Sequence, residues 1–122
     1  MSFSSNRLKS KKTIDLLFSK GKQIKVPGVS LVYLGQTNKN PSGLRVGFSV
    51  GKKMQPLAVS RNKTKRLLRE SFLFCVKEGF STKKHPYNLM FVCFEKSPPP
   101  FDELCDKIKS LLLSFSESVE ND

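Results

Sequence analysis

Alternation and helical spacing divide this chain into short elements. Val46, Phe48 and Val50 alternate with Arg45, Gly47, Ser49 and Gly51, the period of two of a strand with one buried face. The opposite face carries small residues apart from Arg45, so a flexible polymer can approach the backbone there. Val29 to Leu34 reads as another strand, and the polar run from Gly35 to Gly43 joins the two. That arrangement predicts an antiparallel hairpin with a long loop. Tyr87 to Phe94 is almost wholly apolar, as in an interior strand covered on both faces. Lys22 to Val29 is an extended basic segment with a turn at Pro27-Gly28.

Three stretches carry helical periodicity instead. In Thr13 to Lys20, Ile14, Leu17 and Phe18 make an apolar stripe, Thr13 or Ser10 can cap the start, and Gly21 closes the end. Ala58 to Glu78 contains no proline and stops at Gly79. Within it Thr64, Leu67, Leu68, Ser71 and Cys75 share one arc, while Arg61, Lys65 and Arg69 form a row beside Asn62 and Arg66. Ser97-Pro98-Pro99-Pro100 is a stiff break, after which Leu104, Ile108, Leu111, Leu112 and Phe115 give a core-facing stripe over Phe101 to Ser116. Asp102 and Glu103 suit that helix's N-terminus. The expected fold class is α+β: one α-β sandwich domain over 1–122, with about four strands in a mixed sheet, a β-α-β unit and two further helices. Residues 1–12 read as a flexible basic arm and 117–122 as a frayed acidic tail.

Charge sharpens this picture. Residues 1–69 hold 16 Lys/Arg against the single acid Asp15, a net +15, and residues 70–122 hold 6 against 9 acids, a net −3; together they give the chain's +12. Five cations (Arg61, Lys63, Lys65, Arg66, Arg69) fall within nine residues with no acid before Glu70. Like charges at i,i+4 destabilise a helix, so a one-sign run argues for a polyanion partner rather than simple solvation. No apolar run is long enough to span a bilayer, and the polar start lacks the apolar core of a signal peptide. The expected location is therefore cytoplasmic, without a membrane partner. Cys75, Cys93 and Cys105 are odd in number, widely spaced and set among apolar residues, which reads as reduced core thiols.

Catalytic chemistry is missing from the pattern. His85, the one histidine, sits beside Pro86 in a loop without an evident base-catalysis partner, and no metal-ligand spacing occurs. The basic half has no carboxylate cluster for paired Mg²⁺, and Gly51-Lys52-Lys53 lacks the spacing of a phosphate-binding P-loop. Neither catalytic nor metal-binding residues are expected in this chain.

The run VGFSVGKK followed by AV-x-RN-x-x-KRLLRE resembles the signature of the protein subunit of bacterial ribonuclease P. Arg61, Asn62, Lys65, Arg66 and Arg69 fall on that family's Arg-Asn-x-x-Lys-Arg-x-x-Arg pattern. Lys63 stands where the family usually has arginine, which keeps the cation and loses the planar fork. The resemblance implies an auxiliary subunit of an endoribonuclease that removes the 5′ leader from precursor tRNA. Hydrolysis, and the Mg²⁺ it needs, would belong to the RNA subunit, with no cofactor in the protein. It implies that Arg61, Asn62, Lys63, Lys65, Arg66 and Arg69 dock on the catalytic RNA, in a one-to-one assembly. It also implies a cleft for the single-stranded leader formed by Ile14, Phe18, Val32, Ser49, Lys52 and Lys53. Phe18 supplies a ring for stacking, and Ile14 stands where an aromatic residue is common. A left-handed β-α-β crossover is implied as well. Two other readings share the basic footprint: a structural, ribosomal-type RNA-binding protein, and a nuclease that acts alone.

Overall fold

A computed structural model describes residues 11–36, 43–80 and 86–120. The elements are α1 (Lys11–Lys20), β1 (Lys22–Val26), β2 (Val29–Gly35), β3 (Arg45–Val50), α2 (Ala58–Lys77), β4 (Tyr87–Cys93) and α3 (Phe101–Glu120). One mixed sheet runs β1-β2-β4-β3, with β3 parallel to β4 and the other pairs antiparallel. The α+β sandwich expected from the pattern is present, with β3-α2-β4 as its β-α-β unit. Most of the expected arm (1–10), the loop residue His85, and residues 121–122 lie outside the described residues.

The expected hairpin between Val29–Leu34 and the Arg45 strand does not form. β4 lies between β2 and β3, and β2 instead makes its hairpin with β1 through Pro27-Gly28, where Gly28 takes φ 83°. The reason is apolar demand. β4 is greasy on both faces and is most stable with a strand on each side. β3, with Arg45, Gly47 and Ser49 on one face, tolerates the edge. Helix bounds also differ. α1 starts at Lys11, two residues before Thr13, and α3 continues to Glu120 with Val119 packed on the core, so 117–120 is helix rather than frayed tail.

The sheet is covered on both faces. On one, α2 and α3 bury Leu31, Tyr33, Val46, Val50, Leu89, Phe91 and Cys93 against Leu68, Phe72, Leu104, Ile108, Leu111, Leu112 and Phe115. Phe72 is fully buried, its ring 5.9 Å from Phe91 and 6.2 Å from Phe48. Phe115 meets Tyr33 edge-on at 5.2 Å. On the other face α1 drops Leu17 onto Val32 and Met90. Strand register aligns three rows across this second face: Val32, Met90 and Gly47; Ser30, Val92 and Ser49; Leu34, Asn88 and Arg45.

Backbone chirality fixes the hand of the crossover. With β2 running upward and its α1-facing side chains toward the viewer, L-residues direct the N–H and C=O of those positions to the right. Those groups bond toward β4: the Gln36 N–H donates to the Pro86 carbonyl (2.9 Å), and the Gly28 carbonyl accepts from Phe94 (2.8 Å). β4 and then β3 therefore lie to the right, both running downward, with α2 behind the sheet. Passing from β3 through α2 to β4 under those constraints is a left-handed turn, the rare sense for such a unit.

Two glycines end helices for different reasons. Gly79 follows α2 at φ 117°, a conformation that favours glycine, and its N–H donates to the Val76 carbonyl (3.1 Å). Gly21 follows α1 because a Cβ there would sit 2.9 Å from Val32 Cγ1 and 3.0 Å from the Tyr33 carbonyl. Cys75, Cys93 and Cys105 are free thiols, the first two buried. Burial pushes all three thiols up, with the Cys105 side chain adding to the effect at Cys75.

Phe72→Ala should cost about 3–5 kcal/mol, measured by urea unfolding, because the cavity would open between two other rings. Raised thiol pKa values leave less thiolate at neutral pH. Iodoacetamide labelling followed by mass spectrometry should therefore modify half-buried Cys105 before Cys75 or Cys93, and all three rapidly once the chain is unfolded in urea.

Candidate nucleic-acid interface

α2 is anchored by one stripe and charged elsewhere. Thr64, Leu68, Ser71, Phe72 and Cys75 are buried, while Asn62, Lys63, Lys65, Arg66 and Arg69 are exposed. Arg61, Lys65 and Arg69 border the stripe, and Asn62 and Arg66 point outermost. Repulsion at i,i+4 between Arg61 and Lys65, and between Lys65 and Arg69, opposes the helix by about 0.2–0.5 kcal/mol a pair. Full burial of Leu68 and Phe72 contributes about 1.5–3 kcal/mol each and wins. The row therefore persists with little neutralisation among the described residues. Its near acid is Glu70, whose Oε1 lies 3.9 Å from Arg66 Nε with both side chains about half exposed, a weak tie that a phosphate can replace.

The helix begins without a side-chain cap: Leu57 occupies the N-cap position and no acid lies in the first turn. What holds this end is a buried glutamine in the preceding turn. Gln55 is 1% exposed. Its Oε1 accepts from Ser60 Oγ (2.7 Å) and lies 2.9 Å from Thr64 Oγ1, and its Nε2 donates to the Glu95 carbonyl (3.0 Å) just past β4. The single Thr64 hydroxyl proton has a second acceptor in the Ser60 carbonyl at 3.1 Å. Arg61 grips the same turn from outside, its Nη1 donating to the carbonyls of Gln55 (3.0 Å) and Pro56 (2.8 Å). Arg61 is thus half-buried and partly committed to the protein's own backbone.

That turn is a seam between two surfaces. On one side stands the basic row of α2. On the other, beyond exposed Lys52 and Lys53, lies the α1 face of the sheet. Along its central row bulky Val32 and Met90 give way to buried Gly47, and half-buried Ser49 lies one row nearer the turn. Ile14 and Phe18 lie on one flank of α1; Ile14 packs on the small cluster under the helix, and Phe18 is 50% exposed. Ser30 Oγ and Asn88 Oδ1, both from this face, are buried without a hydrogen-bond partner, a condition that costs about 1–3 kcal/mol per group and that folded proteins rarely keep.

The expected residues fall into two groups on opposite layers of the sheet: the α2 row with the neighbouring Lys52 and Lys53, and Ile14, Phe18 and Ser49 on the α1 side. Val32 differs: it faces α1 as expected but is buried at 6% exposure between Leu17 and Met90, where it shapes the floor from below. Gln55, Ser60, Asn88 and Ser30 were not singled out from the sequence. A hint existed in Thr64, a polar residue on the arc that α2 buries. Among the described residues no group of three or more His, Cys, Asp or Glu side chains converges as a metal site, and no described helix is long and apolar enough to cross a membrane. A cavity of about 690 Å³ lies between the C-terminal end of α2 and α3. It is lined by Phe74, Phe80 and Leu113 with Glu78, Asp106, Glu120 and Lys109, a net acidic setting unlike that of the basic row.

The family model described as Ribonuclease P matches residues 3–115. This chain belongs to the ribonuclease P protein family. Among curated relatives, the ribonuclease P protein component of Pseudanabaena sp. is 32% identical over 110 residues, spanning 88% of each chain. That of Chlorobaculum tepidum is 39% identical over 69 residues, spanning 52% of this chain and 44% of the relative. The fold agrees as well. The RNase P protein of Staphylococcus aureus superposes with a TM-score of 0.69 at 22% identity, over 88% of this chain and 92% of that one. The Thermotoga maritima RNase P protein gives 0.68 at 22% identity, over 87% and 94%. In this ribonuclease P protein the Arg-Asn-x-x-Lys-Arg run occupies the exposed arc of α2, while the β3 turn next to it presents Lys52 and Lys53.

If the exposed arc carries phosphate contacts, Arg66→Ala should weaken binding to a structured RNA and lower the slope of log affinity against log salt by about one. A fluorescence titration across salt concentrations measures this; an unchanged slope would show that Arg66 makes no phosphate contact.

Proposed function

We propose that this chain is the protein subunit of a ribonuclease P ribonucleoprotein, which cuts the 5′ leader from precursor tRNA in the cytoplasm. The observation that carries the reading is the seam: an exposed cationic helix row and a basic-edged strip of small residues meet at one turn. The helix row, with Arg61, Asn62, Lys63, Lys65, Arg66 and Arg69, docks on the catalytic RNA. Arginine can straddle two phosphate oxygens, and Asn62 offers directional hydrogen bonds. The strip takes the single-stranded leader: Phe18 stacks on a base, Ile14 borders the strip above Val32, Ser49 leaves room for the backbone, and Lys52 and Lys53 meet phosphates.

In this reading the chain contributes positioning and charge. Cations held near a crowded phosphate backbone replace part of the counter-ion atmosphere, which lowers the Mg²⁺ needed for assembly and activity. Holding the leader raises affinity for precursor over mature tRNA. Hydrolysis, with its Mg²⁺ ions, belongs to the RNA subunit, and one protein serves one RNA.

Reconstitution tests this. Mixed with a bacterial ribonuclease P RNA at low Mg²⁺, the protein should restore cleavage at the mature 5′ end, with neither component sufficient alone. Binding without stimulation would favour a structural RNA-binding protein, and cleavage by protein alone would reveal a nuclease. Phe18→Ala should lose preference for leader-bearing substrate by about tenfold, in keeping with about 1–3 kcal/mol for one stacked base, while RNA-subunit affinity stays within about twofold.

A further inference from the structure

We infer that Gln55 is a positioning residue: it locks the Lys52–Lys53 turn to α2 and to the exit of β4, so that the leader strip and the RNA-docking row keep one fixed spacing. This rests on the two-surface reading above and adds the part that joins the surfaces.

The connections converge on one side chain. Gln55 reaches α2 through Ser60 and Thr64, and the strand exit through the Glu95 carbonyl. Its backbone N–H donates to Gly51 (3.1 Å) and its carbonyl accepts from Arg61 (3.0 Å). A single residue thus ties the start of the turn, the first two turns of α2 and the end of the central strand. Glu95 extends the frame, its carboxylate accepting from Lys107 of α3 (3.1 Å) and lying against Gly28 of the β1–β2 turn.

An amide is the side chain this place needs. Oε1 must accept from hydroxyls while Nε2 donates to a carbonyl, and both sit where water cannot substitute. Lys52 and Lys53 are solvent-exposed at the turn's outer edge, where flexible ammonium groups locate a phosphate only as well as their backbone is held. Arg61 clamps the turn from outside through backbone carbonyls, and this grip depends on the turn keeping its shape. Loss of the buried amide should therefore move the lysines relative to the row and leave the row itself on its helix.

The test is Gln55→Met in the reconstituted holoenzyme, a change that keeps length and removes both hydrogen-bonding atoms. Ser60→Ala is a milder second variant that removes one donor. Precursor tRNA with a long leader is compared with one bearing a single-nucleotide leader. Gln55→Met should raise KM for the long-leader substrate by about five- to tenfold, with kcat and RNA-subunit affinity changed less than about twofold. Ser60→Ala should shift it in the same direction by a smaller factor. In the Gln55→Met background, Lys52→Ala/Lys53→Ala should add little, because the lysines are already misplaced. Full leader preference in Gln55→Met, when the double lysine variant has lost it, overturns the inference and leaves the leader surface standing. So does an equal loss of RNA-subunit affinity, or of short-leader activity, because either marks a general loss of fold. Full leader preference in the double lysine variant overturns the placement of those lysines on the leader surface, and the inference falls with it.

Discussion

The apolarity of β4 governs the rest of this molecule. Leu89 and Phe91 point to one layer and Met90 to the other, all nearly or fully buried. A strand that must be dry on both faces needs a strand on each side and a helix above and below. Meeting those needs places β4 between β2 and β3, puts α2 and α3 on one face, and puts α1 on the other. It also sends β3 to the edge, where half-buried Ser49 and the exposed basic turn lie. The left-handed crossover belongs to the same solution, since α2 covers the face opposite α1.

Charge is then distributed by which surfaces remain. The cationic row persists on α2 because the buried stripe beneath it outweighs the repulsion within it, so the helix can offer uncompensated charge to a polyanion. Most of the acids fall on or near α3, across the helical layer, where Asp102 and Glu103 favour the helix start. This separation orients the protein in the field of an RNA: one side is drawn to phosphate and the other repelled, before any specific contact forms.

Much of this was legible in the sequence because periodicity and local charge are one-dimensional signals. The alternation at Val46, Phe48 and Val50, the stripe ending at Phe115 and the one-sign run at Arg61–Arg69 each correspond to a real element and face. What failed was non-local. Nothing in the residues from Gly35 to Gly43 says that β2 should decline the nearer strand; that choice belongs to β4, far along the chain. Val32 illustrates a finer limit. Its face follows from alternation, yet whether a residue on that face touches solvent depends on where α1 lies, which local pattern does not encode. Gln55 was harder still, since a glutamine before a proline reads as a plain turn until Ser60, Thr64 and Glu95 are brought to it in space.

The seam explains why a buried amide, rather than an apolar residue, occupies the end of the basic turn. An apolar plug would fill the volume but leave the Glu95 carbonyl and the Ser60 hydroxyl to find other partners, and it would fix no orientation. Directional bonds do fix one, at a net stability contribution of about 1 kcal/mol each. A protein that holds two segments of nucleic acid at once gains from such definition more than from stability. The second contact becomes effectively intramolecular only if its position relative to the first is set in advance. Two basic patches joined loosely would each attract phosphate, but the ordering cost of bringing them to one geometry would fall on every binding event. In the proposed two-surface reading that ordering is built into the folded chain, through one residue shared by a strand exit, a turn and a helix start.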